Sequence, residues 1–180
     1  MKNALYTTPR IHIRPLTLAD TDAVLGFERD NREWFERWVP ARAKAYFAFE
    51  SLQKINGDLV AEALGGTAYM HLIFDINARV IGRINLTDIM RKATPSGELG
   101  YRIAQDMAGQ GVATQAIGII ENMAYTTYGL EQLRASCLES NPASFAVLQR
   151  SGFVENPEAK RDFEWQGRPD IMRQFTKNLP

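Results

Sequence analysis

One cysteine, Cys137, stands among the 180 residues. That excludes an internal disulfide and a multi-cysteine metal site. Histidine is nearly as scarce, at two. No cluster of metal-ligand residues stands out, so no metal is expected. No apolar run approaches the roughly 18 residues of a membrane-spanning helix, and Met1–Arg10 has no apolar core of signal-peptide length. The expectations are therefore no membrane partner and a cytoplasmic, reducing environment. Charge of one sign is not in excess either, because 21 Lys and Arg balance 21 Asp and Glu. A chain without net charge has no global attraction to phosphate backbones, so direct nucleic-acid binding is not expected. Repeats, low-complexity tracts and linkers are absent too, and the length suits one domain over 1–180.

The alternation of apolar and polar residues predicts a strand at Arg10–Pro15, with Ile11 and Ile13 against His12 and Arg14. Thr17-Leu18-Ala19-Asp20 carries helix-start chemistry, and Ala23, Val24 and Phe27 give the first helix its apolar stripe. Trp34, Phe35 and Trp38 follow, stopped by Pro40. A second helix is expected over Ala41–Lys54, with Ala45, Phe49 and Leu52 on one face and loops at Gly57 and Gly65-Gly66. The period then changes. Ala68–Phe74 and Val80–Ile89 read as a long hairpin across Asp75–Ala78. Glu98–Ala104 is a further strand, and Val112–Tyr128 an amphipathic helix with Ala113, Ala116, Ile117, Ile120 and Ala124 at three- and four-residue steps. Leu133, Ala135 and Cys137 alternate as a strand. Asn141-Pro142 opens another helix, with Asn as N-cap and Pro in the first turn. Gln166-Gly167-Arg168-Pro169 turns a last hairpin between Phe163–Trp165 and Ile171–Phe175. This order implies a mixed α/β (α+β) fold around a largely antiparallel sheet flanked by helices.

Chemistry concentrates where the Glu98–Ala104 strand hands over to a helix through Gly109-Gln110-Gly111. Glycines there let main-chain N–H groups approach a ligand, and the first helical turn adds unpaired donors and a positive dipole end. Such a turn suits a pyrophosphate. A P-loop is set aside because Val112, not Lys, follows Gly111. A dinucleotide fingerprint wants a third glycine or alanine where Thr114 stands, and a βαβ unit where a hairpin is read. A coenzyme A site remains, in competition with a plain glycine-rich connector.

The stretches Glu98-Leu99-Gly100-Tyr101, Gly109-Gln110-Gly111-Val112-Ala113-Thr114 and Asn141 through Ser144 to Gly152-Phe153 together resemble the GNAT superfamily. More narrowly they resemble its RimJ/RimL-type ribosomal-protein N-acetyltransferases. The Ile11–Leu16 opening and Trp38-Val39-Pro40 fit the same group, so the resemblance spans nearly the whole chain. It implies the GNAT fold, acetyl-CoA as cosubstrate and N-acetyl transfer. The acceptor would be a protein N-terminal α-amine or a small-molecule amine, and the state monomer or homodimer. A non-catalytic acetyl-CoA sensor is the alternative. By resemblance, main-chain groups of Tyr101, Arg102, Ile103 and Ala104 hold the pantetheine arm. Those of Gly109, Gln110, Gly111, Val112, Ala113 and Thr114 hold the pyrophosphate. Asn141 touches the cofactor arm and Ser144 lies near the thioester sulfur. Two departures stand out. The first slot of the loop pattern is Ala108, and the helix position where many members carry a general-acid tyrosine falls near Leu148. The carboxylate that RimL-like proteins carry near the last hairpin has no clear match, because Phe163 sits between Asp162 and Glu164.

Attack on a thioester requires a neutral amine, and an α-amine with a pKa of about 7.7–8 is partly neutral already. Glu98 is the candidate base, against a solvated strand carboxylate or ion pair as the plainer reading. Ser144 is assigned to positioning and hydrogen-bonding the leaving sulfur, against simple capping chemistry. Trp34 and Trp38 are candidate acceptor-binding residues, weighed evenly against core packing. His12, His71 and Cys137 read as packing residues. Arg29, Arg32, Arg37, Arg42 and Lys44 read as a solvated helix face.

Overall fold

The computed structural model describes residues 6–180; positions 1–5 of the Met1–Arg10 segment read above lie outside the described residues. Two short strands open the chain, β1 (Tyr6–Thr7) and β2 (Ile11–Pro15). The helices α1 (Thr21–Asp30), α2 (Arg32–Phe35) and α3 (Phe49–Gly65) follow. Next come β3 (Tyr69–Asp75), β4 (Val80–Met90), β5 (Ser96–Ile103), α4 (Val112–Thr126), β6 (Gln132–Leu138) and α5 (Pro142–Arg150). The strands β7 (Val154–Trp165) and β8 (Arg168–Asn178) end the described chain. They form one eight-stranded sheet in the order β1-β2-β3-β4-β5-β6-β8-β7. All neighbours are antiparallel except β5 and β6. The expected mixed, mostly antiparallel sheet with flanking helices is what the chain builds.

The strands' two-residue period separates two apolar layers. One face collects Ile84, Leu99, Leu133 and Phe175 with Ile117 and Ile120 of α4 and Leu148 of α5. The other collects Leu72 and Phe74 with Val24, Leu25 and Phe27 of α1 and Leu52 of α3. Thr17 and Asp20 make the expected capping box, with Asp20 also gripping Arg14 at 2.6 Å. Asn141 caps α5 through its side chain, which accepts from the Ser144 N–H at 3.0 Å. The last turn closes with Gln166 and Gly167 both at positive φ, the geometry of a two-residue hairpin turn that follows the strands' twist.

The second helix departs from the reading. Ala41–Lys54 does not form one helix: Lys44–Phe47 is a 3-10 turn, Ala48 is extended, and α3 runs from Phe49 to Gly65. The break arises because Tyr46 turns inward, its hydroxyl accepting from Arg83 at 2.9 Å. Gly57 marks no loop but lies inside α3. A helical glycine costs about 1 kcal/mol relative to alanine, outweighed here by complete burial of Leu52 and Asn56, which precede it in the same helix. The helix stops where Gly66 takes the left-handed conformation.

Candidate active site

Strands β5 and β6 run parallel and in register only from Ser96↔Gln132 to Leu99↔Ala135. Both then continue, to Ile103 and Leu138, without pairing, so the sheet parts at its centre. A cavity of about 600 Å³ opens there and reaches both faces of the sheet.

The main chain of β5 shows which groups the gap exposes. The Ala104 N–H donates to Ile81 O at 2.9 Å. Antiparallel ladders alternate bonded and non-bonded pairs, and the pairing of β5 with β4 is continuous here. The polar groups of Arg102 and Ala104 therefore face β4, whereas those of Tyr101 and Ile103 face the gap. Of the four positions expected to lend main-chain groups to a ligand, Tyr101 and Ile103 thus present theirs to the gap. Ala104 lies outside the cavity wall, and the Arg102 side chain reaches the opposite layer instead. The Ile103 carbonyl is taken by the Trp34 indole N–H at 3.2 Å.

Below the gap, Gly109 and Gly111 take φ of 73° and 78°, a region in which a Cβ is strained. Gly111 caps α4, and no side chain caps that turn; no acidic residue sits in it. The N–H groups of the first turn are thus without intrahelical partners and point at the cavity. Gly109, Gly111, Val112, Ala113 and Thr114 line it. The Gln110 side chain does not, because it folds back to donate to Asp106 O at 2.7 Å. Uncapped donors at a helix start beside an unpaired strand edge fit a pyrophosphate with an amide-bearing arm.

On α5, Asn141 and Ser144 line the same cavity. Ser144 Oγ sits 2.9 Å from the Tyr101 hydroxyl. Burial pushes the Tyr101 phenol up to about 12, so it stays a protonated donor. Cys137 also lines the cavity, its thiol raised to about 11 by burial. Read from sequence as a packing residue, it is both buried and part of the wall.

The upper half is walled by residues from the two ends of the chain. Trp34 and Trp38 face Phe163 and Trp165 across it. The hairpin tip is clasped there, Trp165 Nε1 donating to Arg37 O at 3.0 Å and Gln166 Nε2 to Glu36 O at 2.8 Å. Because Phe163 and Trp165 point inward, the intervening Glu164 and the preceding Asp162 do not line the cavity. Glu98 does not line it either. Its carboxylate accepts from Ser136 Oγ at 2.9 Å, and Ser136 does line it.

Sequence reasoning missed the charge of this wall. Among the described residues the cavity is lined by Arg42, Arg83, Arg102 and Arg150 and by no carboxylate. Behind the wall, Glu28 of α1 is buried and grips Arg83 at 2.5 Å and Arg102 at 3.0 Å. Arg42 stays exposed, as predicted for its run, and also lines the cavity. Its neighbours are used locally: Arg29 donates to Phe47 O, Arg32 pairs with Glu36, and Arg37 lies over Trp34. His12 and His71 stay apart from the cavity. His12 stacks on Phe74, and His71 is buried against the Tyr128 hydroxyl at 2.7 Å, its imidazole held neutral by a pKa lowered to about 4 by burial.

A split sheet, an uncapped helix start and an aromatic wall meeting at one cavity describe a known family. Its acetyltransferase (GNAT) domain model matches residues 10–154. The chain belongs to the GNAT acetyltransferase family. It is an acyltransferase that uses acetyl-CoA. It is similar to the "Probable N-acetyltransferase YjcK" of Bacillus subtilis, 27% identical over 158 residues that cover 87% of each chain. The fold matches the ribosomal-protein-S5-alanine acetyltransferase from Vibrio fischeri with a TM-score of 0.90 and 21% identity, over 97% of this chain and 96% of that one. RimJ of Mycobacterium smegmatis, solved with CoA-disulfide, matches with a TM-score of 0.84 and 24% identity, over 93% and 81%. Among the described residues no helix is long and apolar enough to cross a membrane.

Proposed function

We propose that the protein acetylates an α-amine, of a protein N-terminus or of a small molecule, presented through the aromatic wall to a thioester lodged between β5 and β6. The observation that carries this reading is the single cavity that joins the uncapped α4 turn, the Tyr101–Ser144 pair and the Trp34/Trp38 wall. The likeness to RimJ and to the S5-alanine acetyltransferase supports a protein N-terminus, and the CoA-bound RimJ supports the cosubstrate.

Acetyl-CoA supplies an activated acetyl carbon. The amine nitrogen bonds to that carbon, the carbon–sulfur bond breaks, and one amine proton is lost. Like charges disfavour an ammonium, so the arginine wall lowers the pKa of an incoming amine and raises its neutral fraction. The remaining proton passes by way of Ser136 to Glu98, which are already hydrogen-bonded. With Tyr101 donating to it, the Ser144 hydroxyl can turn from the Cys137 thiol to donate to the leaving sulfur. With its pKa near 12, Tyr101 is too weak an acid to surrender its proton to a thiolate of pKa about 8.5; the pair acts by hydrogen bonding. The tyrosine missing near Leu148 is thus answered from a strand. This constellation favours catalysis over a cofactor sensor, which needs no such donors beside the sulfur.

Calorimetric titration with acetyl-CoA, followed by thiol release against a panel of N-terminal peptides and small amines, tests the reading. Micromolar binding with amine-dependent release is expected; no binding would sink it. Glu98→Gln is expected to lower kcat by roughly 10²-fold at pH 7 with acetyl-CoA affinity unchanged. The deficit should shrink as pH rises, because the amine then loses its proton to water unaided. A kcat within twofold of the parent at pH 7 would remove Glu98 from the mechanism. Ser144→Ala, which removes a hydrogen bond to a developing charge, should lower kcat about tenfold or more and leave the pH profile in place; an unchanged kcat would reduce the Ser144 side chain to a hydrogen-bond partner of Tyr101.

A further inference from the structure

The arginine wall is not balanced by the protein. Arg83 is satisfied, donating to both Glu28 and the Tyr46 hydroxyl. Arg102 donates to Glu28 through one nitrogen only, and its plane leans on Phe35 with its side chain mostly buried. Among the described residues Arg42 has no carboxylate partner, and it rests over the Tyr46 ring at 5.1 Å. Three guanidiniums thus surround one carboxylate, which leaves an excess of two positive charges at the acceptor end. Burial and the repulsion of Arg42 and Arg83 act against the charge on Arg102. Such crowding of like charges in a half-buried wall is unfavourable in the free protein. It is relieved by an anion that enters the cavity and pairs with the free edges of Arg42 and Arg102, and guanidiniums match carboxylate and phosphate oxygens two at a time.

We infer that the acceptor carries a carboxylate or phosphate close to its reacting amine, held by Arg42 and Arg102 above the buried Glu28. This rests on the amine-acetylation reading and specifies its substrate class. The anion selects acceptors by charge. It also fixes which way the amine points, because Trp34 and Trp38 on one side and Phe163 and Trp165 on the other leave the slot between them open.

The test uses peptide pairs that differ only in charge, with Asp against Asn and Glu against Gln at the second and third positions. A parallel set compares aspartate, phosphoserine and phosphoethanolamine with uncharged amines. Thiol release gives kcat/KM, and calorimetric titration of each acceptor into protein saturated with CoA gives affinity without turnover. The parent should favour the acidic member by about tenfold or more in both readings. Arg42 is exposed, so Arg42→Gln should fold normally, cut the preference to within about twofold, and leave acetyl-CoA affinity unchanged. Arg42→Glu should invert the preference toward a basic neighbour. Acidic peptides or acidic small molecules winning would each uphold the chemistry and name its source. Charge-blind turnover, or a preference that survives in Arg42→Glu, would overturn the inference and leave amine acetylation standing. Charge-selective binding with no thiol release from any acceptor would do the reverse.

Discussion

Replacing Glu28 with Gln is expected to destabilise the fold by about 3–5 kcal/mol, the usual cost of leaving a buried charge without its partner. Both sides of the pair are out of water, Glu28 at 2% and Arg83 at 9% side-chain exposure. Glutamine keeps the shape and loses the charge, so Arg83 and Arg102 would be left to repel each other across a neutral amide. The Arg32–Glu36 pair is a built-in control, with exposures of 42% and 31%. Glu36→Gln should change stability by under about 0.5 kcal/mol, as exposed helix pairs do. Urea unfolding of both variants beside the parent measures the contrast. For a domain of this size the larger loss corresponds to a fall in Tm of roughly 10 °C. A Glu28→Gln loss of under about 1 kcal/mol would mean that water reaches these arginines in solution.

The second expectation concerns the turn at Gly111. Aspartate tolerates the left-handed conformation better than most residues, so Gly111→Asp should fold with a stability loss of about 1 kcal/mol. Its carboxylate would sit among the first-turn donors of α4 and meet any phosphate there as a like charge. Two unit charges about 4 Å apart interact by roughly 4 kcal/mol in a partly screened site. Acetyl-CoA affinity should accordingly fall by more than about 100-fold, read by calorimetry, with only a small fall in the unfolding midpoint. Retained affinity would place the pyrophosphate somewhere other than this turn.

The half of the cavity around the α4 turn could be read from the sequence because its parts are local. A strand, a Gly-x-Gly turn and a helix are consecutive from Glu98 to Thr114, and Asn141 with Ser144 lies one strand later. Each piece announces itself by a backbone demand, such as positive φ at Gly109 and Gly111 or a cap at Asn141. The half walled by aromatic residues and arginines could not be read in that way. Glu28 meets Arg83 across 55 positions and Arg102 across 74, and Trp165 reaches Arg37 across 128. No periodicity signals contacts of that range, so Arg42 looked like one more residue of a solvated face. The start of α3 was misplaced for a related reason: the tertiary pull on Tyr46 outweighed the helix propensity of Ala41–Ala45. Alternation in β5 was legible, but which main-chain groups faced the gap depended on its register with β4.

The hairpin clasp gives the chain an order of completion. The α4 turn and the Tyr101–Ser144 pair are all contributed before Ser151, and the family match itself ends at 154. The acceptor slot closes only when Phe163 and Trp165 fold back onto residues made more than a hundred positions earlier. On the ribosome, a chain that had emerged as far as α5 would still lack both the strand that pairs with β6 and one wall of the slot until its last two strands had followed. The same division shows in the family pattern: the Gly-x-Gly turn and α5 lie inside residues 10–154, and the aromatic wall is completed beyond them by the last hairpin.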